Sequence, residues 1–235
     1  MDDRTGDTGG FITFEQASGQ ESSHIDQNSL EQPVHCRLVD PVIRLKSAAA
    51  EQGFDLRIAS GYRSFDRQLA IWNHKATGVR PILGANGEVL NITQLTDTER
   101  VAAILRWSAV PGGSRHHWGS DIDVYDAAAV PEGYSLALTV AECEGMFLPL
   151  HQWLGEYLRE NGSDWYRPFT GFGRGGVSPE PWHLSFVPIA RKVERVVTQE
   201  RLAALLEATD MGLQQALLNQ FDAIYSRYIG AYFEG

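Results

Sequence analysis

The chain is poor in cysteine, with only Cys36 and Cys143 in 235 residues. Two thiols so far apart exclude a dense disulfide framework and cannot close a four-cysteine structural zinc site. The sequence leaves open whether they pair with each other. Basic residues are also scarce: 20 Lys and Arg stand against 30 Asp and Glu, a formal charge of −10. That balance works against nucleic acid or an anionic membrane surface as partner, because both demand a basic patch. It does not work against a small peptide, which answers to the local charge of a pocket. Long hydrophobic runs are missing, and nothing approaches the roughly 18–20 apolar residues of a membrane helix. The start, Met1-Asp2-Asp3-Arg4-Thr5-Gly6, shows neither the basic opening nor the apolar stretch of a signal peptide. The expected compartment is therefore cytoplasmic for the chain as it stands, or periplasmic or cell-envelope if an export signal was removed. No internal repeat is evident.

What is present suffices for a core: 43% hydrophobic and 10% aromatic residues, in a length that fits one domain with additions at its ends. Residues 1–32, rich in Gly, Ser, Gln and Asp around the patch Phe11-Ile12-Thr13-Phe14, read as an irregular arm. Leu38, Val42, Leu45 and Ala49 have helical spacing over 36–52, and Gly53 ends that helix. Residues 54–59 alternate as a half-buried strand does. Ser64 is an N-cap for a helix over 65–77 that Gly78 closes. Residues 79–95 read as a loop or hairpin. Thr96 and Glu99 form a capping box before a helix marked by Val101, Ile104, Leu105 and Ser108, which Pro111-Gly112-Gly113 breaks. Residues 120–125 alternate as a strand with Asp121 and Asp123 on one side and Ile122 and Val124 on the other. A helix over 146–161 shows Leu148, Trp153, Leu154 and Leu158 as its stripe and stops at Asn161-Gly162; a Gly- and aromatic-rich loop fills 163–178. Two amphipathic helices close the chain over 198–209 and 213–229, the second striped by Leu213, Leu217, Phe221, Ile224, Tyr225 and Tyr228.

The most informative stretch is Ser114-Arg115-His116-His117-Trp118-Gly119-Ser120-Asp121-Ile122-Asp123, read together with Glu180-Pro181-Trp182-His183. Between them they supply two imidazoles and a carboxylate for a metal, and a spare carboxylate to act on water. A nitrogen, nitrogen and oxygen set with a fourth position open is how a hydrolytic zinc site is built. Pro179 and Pro181 exclude a helix around Glu180 and push it toward extended geometry. The helical H-E-x-x-H arrangement is thereby ruled out. The string Gly171-Phe172-Gly173-Arg174-Gly175-Gly176 lacks the strand and helix that a nucleotide loop requires.

These residues resemble the zinc-binding pattern S-x-H-x-x-G-x-x-x-D followed by E-x-x-H of the VanY-like D-alanyl-D-alanine metallocarboxypeptidases. That branch belongs to a superfamily with lysostaphin-type peptidases and the hedgehog domain. Here the pattern reads Ser114, His116, Gly119, Asp123, Glu180 and His183, and the upstream block Ser60-Gly61-Tyr62-Arg63-Ser64 with Gln68 matches as well. The similarity spans roughly residues 35 to 188. It implies an α+β fold with a small antiparallel sheet and packed helices. The divisions are an arm over 1–32, a zinc peptidase domain over 33–190, and a C-terminal helical extension over 191–235.

The resemblance implies one zinc ion held by His116, Asp123 and His183, with Glu180 as general base. Arg63 would face the oxyanion or the substrate's terminal carboxylate. Ser114, Gln68, Tyr62 and Trp182 would bind substrate. His117 is the rival to His116, but its spacing to Asp123 does not fit the pattern. Asp121 stands where many relatives carry a small apolar residue, and is either an acceptor for a ligand imidazole or a satisfied polar residue. His24, His35, His74 and His151 read as ordinary surface or packed histidines. The implied reaction removes a C-terminal D-alanine from peptidoglycan stem peptides or their fragments. The alternatives are an endopeptidase of the same fold and a non-catalytic zinc-containing binding module.

Overall fold

The computed structural model describes residues 12–160, 162–171 and 175–233. Its centre is a four-stranded antiparallel sheet in the order β3-β4-β6-β5, where β3 is Leu56–Ser60, β4 Asp121–Asp126, β5 Trp165–Tyr166 and β6 His183–Phe186. A separate two-stranded ribbon joins β1 (Ile25–Asp26) to β2 (Val34–His35). Mixed helix and antiparallel sheet is the expected α+β class.

The register of β4 against β6 decides the layout of the molecule. Ile122 faces Leu184 across the ladder, and Asp123 faces His183. Side chains on a strand alternate between faces, so one face is apolar and the other chemical. Leu56, Ile58, Ile122, Val124 and Leu184 are all buried in the hydrophobic core. On the opposite face Asp121, Asp123, His183 and Ser185 are equally buried. Buried polar groups of this kind need partners or a ligand.

Helices pack against the sheet. Among the described residues, α1 is Phe14–Ala17, α2 Val39–Glu51, α3 Phe65–Ala76, α4 Asp97–Leu105, α5 Val140–Glu144 and α6 Leu148–Tyr157. The later ones are α7 Val187–Glu194, α8 Gln199–Glu207, α9 Gln214–Leu218 and α10 Phe221–Tyr228, before a 3-10 turn at Gly230–Tyr232. None is long and apolar enough to cross a membrane. The caps follow the residues expected of them: Ser64 Oγ accepts from Arg67 N, and Thr96 and Glu99 form the reciprocal box. The C-terminal helices are tied to α3 by Trp72 Nε1, which donates to the Gly212 carbonyl (2.8 Å), and by Gly212 N, which donates to Asn73 Oδ1 (2.9 Å).

Several expectations need correcting. Residues 12–32 are not irregular throughout, since they carry α1 and β1; Phe11 lies outside the described residues, as do Asn161 and residues 172–174 of the glycine-rich string. The expected stripe of the 146–161 helix holds at Leu154, which is buried, and at Trp153 and Leu158, which pack against the core, but Leu148 is 40% exposed and Leu150 faces the core in its place. The loop over 163–178 contains the edge strand β5. The expected 213–229 helix is broken at Asn219-Gln220 into α9 and α10, so its long aromatic stripe turns a corner.

Candidate metal and peptidase site

The loop from Pro111 to Gly119 brings the first histidines to the polar face of the sheet. Arg115–Trp118 form one 3-10 turn, which Gly119 ends at φ +66. A side chain there would be strained, and a Cβ on Gly119 would stand 2.6 Å from His35 N. The turn buries His116 and His117 side by side and gives them different tasks. His117 Nδ1 donates to the Arg63 carbonyl (2.6 Å) while its Nε2 accepts from Gly112 N (3.0 Å), so both nitrogens are engaged. His116 Nδ1 donates to the Gly61 carbonyl (2.9 Å), which leaves the lone pair of Nε2 facing Asp123 Oδ2 at 3.3 Å. His183 is oriented the same way: Nε2 donates to Asp121 Oδ1 (3.0 Å), and Nδ1 points at Asp123 Oδ1, also 3.0 Å away.

Ligand atoms of His116, Asp123 and His183 all lie within 4.8 Å of one another. Close as they are, His183 Nδ1 and Asp123 Oδ1 make no hydrogen bond with each other or with any other group, and both are fully buried. Two lone pairs and a carboxylate oxygen converge on one point with no proton shared in good geometry. Such a donor set fits a divalent cation, and its nitrogen and oxygen chemistry suits zinc. The electrostatics agree. Burial works against charge on His183, but the Asp121 and Asp123 carboxylates outweigh it and lift its proton affinity to about 10. Burial likewise opposes a charge on Asp123, but His116 and His183 more than reverse this and hold the carboxyl well below its usual range. The site is built to hold positive charge.

Behind it lies a buried polar cluster. Arg115 Nε donates to Asp121 Oδ1 (2.8 Å), and its other nitrogens reach Glu194, the Tyr232 carbonyl, Tyr166 Oη and Ser185 Oγ. Burial would raise the Asp121 carboxyl, but Arg115 and His183 hold it at about 2. Asp121 is thus an ionised acceptor that fixes the tautomer of His183.

A cavity of about 300 Å³ opens in front of the three convergent residues. Arg63, Ser114, Glu180 and Trp182 line it, whereas Gln68 and Tyr62 lie outside the lining. Gln68 is fully buried; its Oε1 accepts from Arg63 Nη1 (2.9 Å) and its amide donates to the Ala109 carbonyl (2.7 Å). It supports the guanidinium and does not face the cavity. Tyr62 Oη donates to the Gly19 carbonyl (3.3 Å), away from the site. Arg63 is held further by Ser60 Oγ (3.2 Å). Glu180 hangs on the extended segment between its two prolines, with its N–H donating to the Phe169 carbonyl and a carboxylate oxygen 3.6 Å from His183 Nδ1. Burial pushes its carboxyl up to about 7. Sequence reading missed Lys75, Trp107 and Phe169 in the lining, and also Ile229, Tyr232 and Phe233 from the end of the chain. The aromatic content of the last helix was the available signal for the final group.

Residues 31–189 match the family model described as VanY: D-alanyl-D-alanine carboxypeptidase. The chain belongs to this peptidase family. Two uncharacterized proteins of Haemophilus influenzae are relatives, one 32% identical over 123 residues (51% of this chain, 92% of the relative). The other is 35% identical over 103 residues (42% of this chain, 70% of the relative). Among solved structures, VanYB in complex with D-alanine-D-alanine is similar at 22% identity and a TM-score of 0.51, covering 81% of this chain and 92% of that one. At that identity the likeness shows a shared VanY peptidase fold. The matched segment holds all of His116, Asp123, Glu180 and His183; the cavity residues from Tyr228 to Phe233 lie beyond it.

Proposed function

We propose that the chain is a zinc-dependent carboxypeptidase that removes a C-terminal D-alanine from peptidoglycan stem peptides or their fragments. The single observation that carries this reading is the convergence of His116, Asp123 and His183 with Glu180 beside them, in a chain of the VanY family. His116, Asp123 and His183 would hold one zinc ion. Bound there, zinc would supply Lewis acidity, acidifying water and polarising a carbonyl. The remaining work falls to the chain's own side chains. Glu180, whose carboxyl lies near neutrality, takes a proton from the attacking water and returns it to the leaving amine. Arg63 offers fixed positive charge to the oxygen on which negative charge develops. Ser114 and Trp182 shape the wall against which the peptide lies. The binding of D-alanine-D-alanine by the structurally similar VanYB supports the choice of substrate class.

The test is incubation of the zinc-loaded protein with defined muropeptides, followed by mass spectrometry. Loss of a single terminal alanine is expected; cleavage within a cross-link would replace this reading with an endopeptidase, and tight binding without turnover would replace it with a binding module. In Glu180→Gln, zinc content should stay at the parent level while kcat falls by at least about 100-fold, in line with loss of a general base. Undiminished turnover in that variant would remove Glu180 from the chemistry.

A further inference from the structure

Two cations of the cavity, Arg63 and Lys75, form no direct ion pair with a carboxylate among the described residues. Arg63 binds Gln68 and Ser60, and Lys75 Nζ donates to Ser108 Oγ at 2.6 Å. All three contacts are to neutral groups, and among the described residues neither cation has an ion-pair partner within 4 Å. The third cation of the lining, Arg115, is by contrast fully engaged with Asp121 and Glu194. Half-buried cations in one cavity lose hydration, a cost that an incoming anion relieves. The desolvation of Lys75 pushes its amine down to about 8, with the neighbouring Arg80 adding to the fall and Glu180 opposing it.

A peptide with a free C-terminus brings two oxygen-bearing groups close together: the scissile carbonyl and the terminal carboxylate of the departing residue. Burial lowers the proton affinity of the Arg63 guanidinium, and Asp123 and Glu180 only oppose that fall; its nearness to these two carboxylates places Arg63 at the metal-ligand end of the cavity, with the scissile carbonyl. Lys75 lies on the last turn of α3 and enters the same cavity beside Ser108. We propose that Lys75 is the carboxylate anchor of this peptidase, the residue that selects a substrate with a free C-terminal acid. This rests on the carboxypeptidase reading above and adds to it a specificity-determining residue.

The test compares an N-acylated D-alanyl-D-alanine dipeptide with its C-terminal amide, using the zinc-loaded full chain. The parent protein should favour the acid in kcat/KM by about 10- to 100-fold, the worth of a charge-assisted hydrogen bond. Lys75→Met should bring the acid-to-amide ratio close to one at unchanged zinc content, and Lys75→Arg should keep most of the preference. If Lys75→Met does not fold, Lys75→Gln removes the charge with a polar replacement and is held to the same ratio. A parent-like ratio in the neutral variant, or a parent that treats acid and amide alike, overturns the anchor while leaving the peptidase intact. A parent that cleaves neither peptide and does not bind the acid in calorimetry overturns the carboxypeptidase reading itself, and the anchor with it.

Discussion

Asp121 and Asp123 differ in which nitrogen of His183 each one meets. Asp123 faces Nδ1, and Asp121 meets Nε2. The first position leaves an oxygen for a cation; the second fixes the ring so that the cation finds a lone pair. Arg115 keeps Asp121 ionised and is itself held by four further groups, so the pair forms a rigid backing for the imidazole. Asp121→Asn should therefore weaken zinc binding by about 10- to 100-fold, as loss of such an outer partner generally does. Competition with a chromophoric chelator measures this directly, and an unaltered zinc affinity would mean that the ring needs no such support.

At the scale of elements, the site is the product of one strand pair and one turn. The β4–β6 register sets Asp123 beside His183, and the 3-10 turn at Arg115–Trp118 delivers His116 from the side. Gly119 makes the turn possible, because its backbone is left-handed and it packs against His35 N and the Ile25 side chain. Gly119→Ala should cost at least about 1 kcal/mol from the left-handed backbone alone. The contact with β2 adds to that figure. Thermal unfolding should show a lower Tm, and zinc affinity should fall with it because His116 rides on the turn; an unchanged Tm would mean that the backbone relaxes freely.

Much at this scale was legible in the sequence, and for identifiable reasons. Ser64, Thr96 and Gly53 act locally through capping and left-handed conformation, so their effects can be read from a few residues. The alternation Asp121-Ile122-Asp123-Val124 announced a strand with one chemical face. The preference for His116 over His117 came from the resembled family pattern, and in the structure both nitrogens of His117 are engaged with backbone. Gln68 and Tyr62 were harder. Whether a side chain faces a cavity or stands behind its wall depends on long-range packing, and Gln68 reaches inward to Ala109 instead. Lys75 carried no motif, and α7 together with the two-residue strands is too short to display a period.

At the scale of the whole molecule, the end of the chain completes the cavity that the matched segment begins. Tyr232 packs its ring on Phe169, which in turn packs on His183, and the Tyr232 carbonyl accepts from Arg115. Phe233 lies against Trp118 of the His116 turn. Truncation before Gly230 should therefore lower Tm and raise KM more than it lowers kcat, since it removes a wall and leaves His116, Asp123 and His183 in place. A truncated chain with parent-like KM would show that substrate never touches this wall.

The same close packing sets the response to acid. His35 and His151 are buried neutral: burial, aided by His24 at the first and Arg167 at the second, depresses both to about 4. Between that value and the ordinary 6.5 the unfolded chain binds a proton at each position that the folded chain refuses. Their stabilisation is thus complete above about pH 6.5 and drains away as the pH falls toward 4. Glu180 has the opposite sign. Its carboxyl is raised from 4.5 to about 7, so the metal-free fold loses stability as the pH rises across that window. His183, raised to about 10, has the sign of Glu180, whereas His117, which burial lowers to about 3, has that of His35 and His151. Three depressed histidines outweigh the two raised groups between about pH 7.5 and 5.0, and acid should win. His151 isolates the effect, because its Nδ1 lies 3.2 Å from Arg167 Nη2 and its Nε2 is buried without a partner, leaving no place for a second proton. Urea unfolding of the metal-free protein at pH 7.5 and 5.0 should show a loss of stability that His151→Gln reduces by about 2 kcal/mol. Equal losses in parent and variant would mean that the imidazole takes up its proton without leaving the fold.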